Sequence, residues 1–424
     1  MNSIPLSYQV TTAFAVFVAK IIQKLPYSFL HCLGKILGLG IYYFFPKYRK
    51  RILSNLSLAK ALQLDEEKLQ KTALQSLQSL AIALLEFPKL YTEKNLEKIA
   101  SCENPTLAKD YIDQKKGVVF FCAHQANWEL FFLEGNARMP GTAIGRPIKN
   151  SLLYSYILKV RTRFGGEIIH PKSALKEGLK ALKAGKFLGI VGDQGMPESS
   201  FQSTFLGVNA FSTTAPALLA YKTNSPLFVA TMKRKNGKYL IRYSDPILPN
   251  IDHPLKEEVE RMTLKSLAIL EQSIIESPSE WLWLHNRFKQ ETPETVFYRY
   301  RHDSILIIVQ QMSDIQIDKI RLLYPKAFLH FYSLNPKDQQ EHVTIIDENT
   351  PLPKDYRFKF VINLTQFKKF GRHFDHLSAL LTVDEKAIDQ LIIKRHLPIP
   401  KQLDEKLIFA FARNPKELLK PYAP

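Results

Sequence analysis

Apolar positions near the N-terminus run almost unbroken. Val10–Ile22 carries only Lys20 as a charge, and Tyr27–Phe45 encloses only His31 and Lys35. In the second run, Leu30, Leu33, Ile36, Leu37, Ile41 and Phe44 recur at helical spacing. Its length at helical rise is about 28 Å, close to a hydrocarbon core. Asp65–Pro88 reads as an amphipathic helix, with Leu69, Ala73, Leu77, Leu80, Ile82 and Leu85 on its stripe.

The period then changes repeatedly. Gly117–Cys122, Thr142–Arg146, Glu167–His170, Phe187–Val191, Pro226–Met232 and Tyr239–Tyr243 read as strands. Between and after them, Asn127–Leu133, Ser151–Phe164, Ser173–Ala184, Ala215–Thr223 and Leu255–Ser277 read as helices. Such alternation predicts an α/β domain with a mixed sheet flanked by helices. After the polar stretch Lys289–Glu294 the pattern repeats on a smaller scale. Strands are expected at Ser304–Val309, Ala327–Tyr332, His342–Ile346 and Phe358–Asn363, with helices at Ile315–Leu323 and Glu385–Arg395. The expected organisation is a membrane-anchoring segment over 1–60, a principal domain over 61–295 and a small α/β domain over 300–424.

Charge sharpens the reading of the N-terminus. Met1–Leu64 has eight Lys/Arg and no acidic residue, and Lys47, Arg49, Lys50 and Arg51 follow the second apolar run directly. Solvated helix faces usually carry both signs, so a soluble buried pair of helices fits less well than a membrane segment. Two membrane arrangements fit. One is a spanning helix with the Lys47–Arg51 cluster on the cytoplasmic side. The other is a helix or hairpin lying in the interface, with Lys20, Lys24 and Lys35 reaching headgroups. A cleaved secretory signal fits poorly, because no small-residue cleavage site stands out.

The whole chain of 424 residues is basic: 58 Lys+Arg against 40 Asp+Glu give a net charge of +18. An anionic membrane, an acidic carrier protein and nucleic acid all suit such a field. No recognisable nucleic-acid module accompanies it, so nucleic acid is not expected as a partner. Hydrophobic residues at 46% and a mean hydropathy of −0.14 exclude both a disordered chain and a polytopic transporter. Cys32, Cys102 and Cys122 form no CxxC pair, and neither an HExxH nor a Cys/His cluster is present, so reduced thiols and no metal or other cofactor are expected. There is no G-x-S-x-G elbow for a serine hydrolase.

The candidate chemistry lies at the end of the Gly117–Cys122 strand, where His124-Gln125-Ala126-Asn127-Trp128-Glu129 follows. Carboxyl ends of strands in open α/β sheets are favoured ligand sites. Asn127 is a good N-cap type, which leaves Glu129 in the first turn of a helix. On one continuous helix His124 and Glu129 would point apart. With His124 on the preceding loop, the carboxylate can fold back onto the imidazole and leave the other ring nitrogen to take a proton. A structural histidine is the alternative reading.

These residues resemble the HX4(D/E) motif of glycerolipid and lipid A acyltransferases, and specifically the H-x-x-N-W-E form of the late acyltransferases of lipid A biosynthesis. Gly145-Arg146-Pro147-Ile148-Lys149-Asn150 is similar to that family's R-P-x-x-N element, and Arg161-Thr162-Arg163-Phe164-Gly165 to its R-x-R-x-G. Gly192-Asp193-Gln194, Phe205-Leu206-Gly207 and Trp281-Leu282-Trp283-Leu284-His285-Asn286-Arg287-Phe288-Lys289 match further elements in order. Arg49–Arg51 with Asn55-Leu56 is similar to its N-terminal segment. The resemblance covers roughly residues 10–290 and implies a glycerolipid-acyltransferase-like fold.

The implied reaction is acyl transfer from an acyl carrier protein thioester to a hydroxyl of a Kdo-bearing lipid A precursor. It would occur at the inner membrane, beside anionic lipids, with the catalytic domain facing the cytoplasm. By the same resemblance His124 is the general base and Glu129 its orienting partner. Arg146, Arg161, Arg163, Asp193 and Asn127 are carried over as substrate-binding candidates. Arg161 or backbone N–H groups near Asn127 are candidate donors to the oxyanion. Arg146 and Arg163 suit acceptor phosphates, with solvated surface charge as the alternative. Asp193 is expected either to anchor Arg161 or Arg163 by an ion pair or to cap a loop. Trp281 and Trp283 are read as packing or interfacial anchors. Another glycolipid or a lysophospholipid as acceptor, and an inactive membrane scaffold, remain alternatives. The region 300–424 departs from the family pattern. It faintly resembles the start of a heptosyltransferase-type fold, but Gln310-Gln311-Met312 stands where a phosphate-cradling glycine turn would be, so an accessory role is expected.

Overall fold

The structure is a computed structural model that describes residues 4–125, 127–195, 200–290 and 296–420. Two compact units are present. One contains the described residues up to Phe44 together with Ala61–Leu282; the other contains Phe45–Lys60 together with the described residues from Trp283 onward. The predicted boundary stretch Lys289–Glu294 lies outside the described residues from position 291 on.

The first unit starts with α1 (Leu6–Lys24) and α2 (Tyr27–Phe44). α1 is long and apolar enough to cross a membrane. Leu6, Val10, Phe14, Phe17 and Ile21 form an exposed stripe along it, while its other side packs on neighbouring helices. The helix α3 (Pro46–Leu58), built from the basic cluster, belongs to the second unit. The amphipathic segment forms α4 (Glu66–Leu90), capped by the Asp65 carboxylate on the Lys68 N–H. Leu69, Ala73, Leu77 and Ile82 are buried as the periodicity predicts.

The remaining elements of this unit are β1 (Ala100–Cys102), α5 (Thr106–Asp113), β2 (Val118–Cys122), α6 (Glu129–Arg138), β3 (Gly141–Ile144), α7 (Ser151–Arg161), β4 (Glu167–Ile169), α8 (Ala174–Lys183), β5 (Phe187–Val191), the hairpin β6 (Phe201–Phe205) and β7 (Val208–Ser212), α9 (Ala215–Thr223), β8 (Leu227–Lys235), β9 (Lys238–Tyr243) and α10 (Leu255–Glu276). Seven strands make a mixed sheet in the order β1-β9-β8-β2-β5-β3-β4, parallel except where β8 turns back into β9. β2 is central, paired in parallel with β5 and β8, which explains why VVFFC is apolar on both faces. Phe120 and Cys122 face one side with Phe187, Phe228 and Tyr243. The opposite face is covered by α8, α9 and α10. The sheet therefore delivers the residues just after Cys122 to its carboxyl edge.

The second unit adds β10 (Ser304–Val309), α11 (Ile317–Leu323), β11 (Phe328–Ser333), β12 (Val343–Ile345), β13 (Phe360–Asn363), α12 (Lys368–Leu377), β14 (Leu381–Asp384), α13 (Glu385–Lys394), α14 (Leu403–Phe411) and α15 (Pro415–Leu418). Its five strands are all parallel, in the order β12-β11-β10-β13-β14. SILIIV is completely buried at the centre, as its unbroken apolar character requires. Elements with weak periodicity were not foreseen: β1, α5, the β6–β7 hairpin, α3, α12, β14 and α14. The first six are short, edge-placed or rich in polar residues.

Beneath this second sheet Lys359 is almost fully buried. Its Nζ donates to Asp303 Oδ1 at 2.8 Å and to Asn286 Oδ1 at 2.7 Å. Burial lowers the Lys359 pKa, against the opposing pull of Asp303. Lys359→Met should therefore cost about 3–5 kcal/mol by leaving the Asp303 charge uncompensated. The double change Lys359→Met/Asp303→Leu should recover much of that loss in denaturant unfolding.

Candidate active site

His124 stands on the loop between β2 and α6. Four hydrogen bonds fix this loop. The Gln125 side chain docks on β8, accepting the Met232 N–H at 2.8 Å and donating to the Met232 carbonyl at 2.9 Å. The His124 carbonyl accepts the Leu282 N–H. Asn127, also buried, donates from Nδ2 to Glu86 Oε2 at 2.7 Å. Asn127 is thus spent inside the protein rather than capping the helix, and α6 begins at Glu129, one residue later than a cap at Asn127 would place it. Ala126 lies outside the described residues.

The partner of the imidazole is Asp193, which follows β5. Its Oδ1 lies 2.6 Å from His124 Nδ1, and its Oδ2 accepts both the His124 N–H at 3.2 Å and the Trp281 Nε1–H at 2.8 Å. The Asp193 side chain is fully buried, and β2 and β5 are adjacent, so both residues emerge together from one sheet edge. Burial would lower the His124 pKa, but the Asp193 charge and hydrogen bond outweigh it and leave the pKa above its ordinary value. Trp128 packs edge-on against the imidazole, with ring centroids 5.4 Å apart.

Glu129 is engaged elsewhere. Both its carboxylate oxygens accept from Arg161 on α7: Nε reaches Oε2 at 2.8 Å and Nη2 reaches Oε1 at 2.5 Å. This is the bidentate fork that holds a guanidinium rigidly. The pairing of acids and bases therefore differs from expectation. The carboxylate on His124 Nδ1 is Asp193, and the carboxylate that anchors Arg161 is Glu129. The physical reason is the turn at Trp128, which sends Glu129 toward α7 while the β5 end carries Asp193 to the ring.

A cavity of about 520 Å³ opens below this group. His124, Trp128, Glu129, Arg146, Arg161 and Gln194 line its polar end. Its interior is Phe120, Phe132, Ala143, Phe187, Gly189 and Tyr243, drawn from one face of the sheet and from α6. An apolar chamber with a few converging polar groups is the usual form of a small-ligand site. Arg146 is exposed at this opening. Arg163 is not brought to the cavity: Nη1 donates to the carbonyls of Leu90 and Tyr91 at the end of α4. Burial pushes the Cys122 thiol pKa upward, so this cavity-lining cysteine is an unreactive wall group. Among the described residues no group of three or more His, Cys, Asp or Glu could hold a metal ion.

Sequence reasoning missed Glu86, Gln125 and the second role of Trp281, which packs on Phe205 and also orients Asp193. Glu86 had a legible signal. It is a lone acid in ALLEFPK, one turn after Ile82 on the buried stripe of an amphipathic helix.

Comparison with known proteins places the chain. Residues 4–290 match the family model described as bacterial lipid A biosynthesis acyltransferase. The chain is 26% identical over 294 residues to the lipid A biosynthesis lauroyltransferase of Escherichia coli (strain K12), covering 68% of this chain and 94% of that protein. It is also 26% identical over 283 residues to the lipid A biosynthesis palmitoleoyltransferase of the same organism, covering 66% of this chain and 90% of that one. The lipid A biosynthesis acyltransferase of Shigella flexneri aligns with the same identity and coverage. The match spans the histidine on the loop after β2, the cavity beneath it and the N-terminal apolar helix, and the chain belongs to the bacterial lipid A biosynthesis acyltransferase family.

Proposed function

We propose that this acyltransferase moves a fatty acyl group from an acyl carrier protein thioester to a hydroxyl of a Kdo-bearing lipid A precursor, with His124 as general base. The observation that carries the reading is the Asp193–His124 contact at the mouth of an apolar cavity. A carboxylate on Nδ1 fixes the tautomer in which Nε2 accepts a proton, and it stabilises the imidazolium that results. The hydroxyl oxygen attacks the thioester carbonyl as its proton passes to Nε2. The tetrahedral intermediate then collapses, the C–S bond breaks, and the imidazolium returns the proton to the departing thiolate. No covalent enzyme intermediate is required.

The acyl chain would occupy the aromatic chamber of Phe120, Phe132, Phe187 and Tyr243, which excludes water from the ester-forming carbonyl. Arg161, held rigid by Glu129, supplies a positive charge at the cavity mouth for the developing oxyanion. In this reading Glu129 acts through Arg161, and Asp193 takes the orienting role. Arg146, exposed at the cavity opening, would meet an acceptor phosphate. The exposed stripe of α1 would sit in the inner membrane, with the basic chain drawn to its anionic cytoplasmic leaflet.

Acyl transfer by membranes carrying the full chain tests this directly, with acyl carrier protein thioesters supplied against a Kdo-bearing precursor and against lysophospholipids. Product on the lysophospholipid alone would refute the acceptor assignment. His124→Ala should lower the rate by about 10²–10⁴-fold.

The pH profile separates Asp193 from Glu129. His124 must be neutral to act as base, and Asp193 raises its pKa. Asp193→Asn should therefore lower the maximal rate while shifting the acidic limb of the kcat profile to lower pH. Glu129→Gln should lower kcat without moving that limb.

Chain length should respond to Gly189. The nearest atoms to a Cβ there would be Ala143 Cβ at 3.7 Å and Phe187 and Thr142 atoms at 3.9 Å, ordinary contact distances, and Gly189 lines the cavity, so a side chain at this position would take up cavity space. Gly189→Leu should shift the preferred donor to a shorter acyl chain, read by mass spectrometry of the product.

A further inference from the structure

Glu86 lies near the C-terminal end of α4 with no solvent exposure, and three side chains from three separate elements converge on it. His31 Nε2 on α2 is 2.6 Å from Oε1. Tyr239 on β9 donates its hydroxyl to Oε2 at 2.8 Å. Asn127, on the loop that carries His124, donates to the same Oε2 at 2.7 Å. A buried carboxylate is tolerated only when donors surround it, and removing one donor exposes the desolvation cost of the rest. The three donors are therefore coupled through one group.

The way α2 meets α4 explains how His31 arrives there. Along the antiparallel pair, Gly38 lies against Gln78, Gly34 against Ile82, and His31 against Glu86. A Cβ on Gly34 would come within 2.5 Å of Ile82 Cγ1, and one on Gly38 within 2.5 Å of Gln78 Cα. Only glycine allows the backbones to approach so closely, and that approach puts the short imidazole side chain within reach of Glu86. The outer face of α2 carries exposed Phe29, Ile36, Leu37 and Tyr43. One helix thus has an apolar outer face and an inner face that ends on the carboxylate holding the His124 loop. Burial and the Glu86 charge also push the Tyr239 hydroxyl pKa upward, so it stays a donor.

We propose that Glu86 is a positioning residue for acyl transfer, and that His31 makes the seating of the N-terminal helix α2 on α4 a condition for the ordered His124 loop. The chain of contacts is His31 to Glu86 to Asn127, three residues from His124 and two from Glu129. When α2 is seated, Glu86 Oε1 is satisfied and Oε2 is aimed at Asn127. When α2 lifts, Glu86 loses a donor and turns toward whatever donor or water remains, and Asn127 loses its anchor. The site then keeps Asp193 but loses the register that sets the imidazole and Glu129–Arg161 about one cavity mouth. The inference rests on His124 acting as base, and its test is chosen to be readable without that assumption.

The experiment uses the full chain in lipid nanodiscs, with His31→Ala, Asn127→Ala, the double variant, Glu86→Gln and Tyr239→Phe. Two readouts are taken: steady-state kinetics with an acyl carrier protein thioester and a Kdo-bearing acceptor, and hydrogen exchange of the peptide covering 123–130. His31→Ala should lower kcat about tenfold with KM nearly unchanged, the signature of lost transition-state positioning rather than lost binding. It should also speed exchange in 123–130, although His31 is on another helix. Because His31 and Asn127 act through the same carboxylate, the double variant should be no worse than the worse single one. Gly38→Val, two turns from His31, should reproduce both effects by forcing α2 away from α4. Glu86→Gln and Tyr239→Phe keep the packing and guard against a variant that merely fails to fold; each should give the same effects in smaller degree.

Multiplying losses in the double variant, or unaltered exchange of 123–130 in both His31→Ala and Gly38→Val, would overturn the proposal. If His124→Ala keeps full activity, the base assignment fails, while accelerated exchange in His31→Ala would still support the coupling of α2 to the His124 loop through Glu86.

Discussion

A buried carboxylate at the end of β5 touches a histidine at the end of β2, and the remaining features of the site are arranged around that contact. Adjacent parallel strands carry the two residues to one edge, which is a consequence of sheet order rather than of nearness in sequence. The same carboxylate is held by Trp281 and by the His124 backbone N–H, so its orientation is set from several sides. Each of these donors compensates part of the desolvation of Asp193, which is why a full charge can persist where water is excluded. A neutral imidazole held in this way has one favoured tautomer, with its proton on Nδ1.

The ion pair of Glu129 with Arg161 is a second, separate device. It ties α6 to α7 and leaves a guanidinium at the cavity mouth with its geometry fixed. In the proposed mechanism the two pairs divide the labour: one manages a proton, the other a developing negative charge. The apolar chamber below them is built from one face of β2 and β5, so the strands that position the chemistry also shape the space for a hydrocarbon chain. Preorganisation of this kind is costly in stability, and the buried polar clusters around Asp193 and Glu86 indicate where that cost is borne.

Much of both units was legible in the sequence. Continuous apolar runs such as Val118–Cys122 and Ser304–Val309 read as central strands because burial on both faces removes any polar alternation. The amphipathic α4 was legible for the opposite reason, since its stripe is one-sided. The site's membership was legible too: His124, Glu129, Arg161 and Asp193 all lie at it. Their pairing was not. Five residues separate His124 from Glu129, and local spacing made that pair plausible, whereas the Asp193 contact spans 69 positions and depends on which strands are neighbours. Arg163 shows the same limit: two residues after Arg161, it turns to the end of α4 instead of the cavity. Asn127 had the right chemistry for a cap, but a buried carboxylate on another helix offered a better use for its amide.

The central claim is that Asp193, not Glu129, holds the imidazole of His124. Nitrogen and proton NMR of ¹⁵N-histidine-labelled full-length protein in nanodiscs, assigned through His124→Ala, measures it most directly. The account predicts a strongly downfield Nδ1–H proton on His124 that disappears in Asp193→Asn and persists in Glu129→Gln. Persistence in Asp193→Asn together with loss in Glu129→Gln would contradict it.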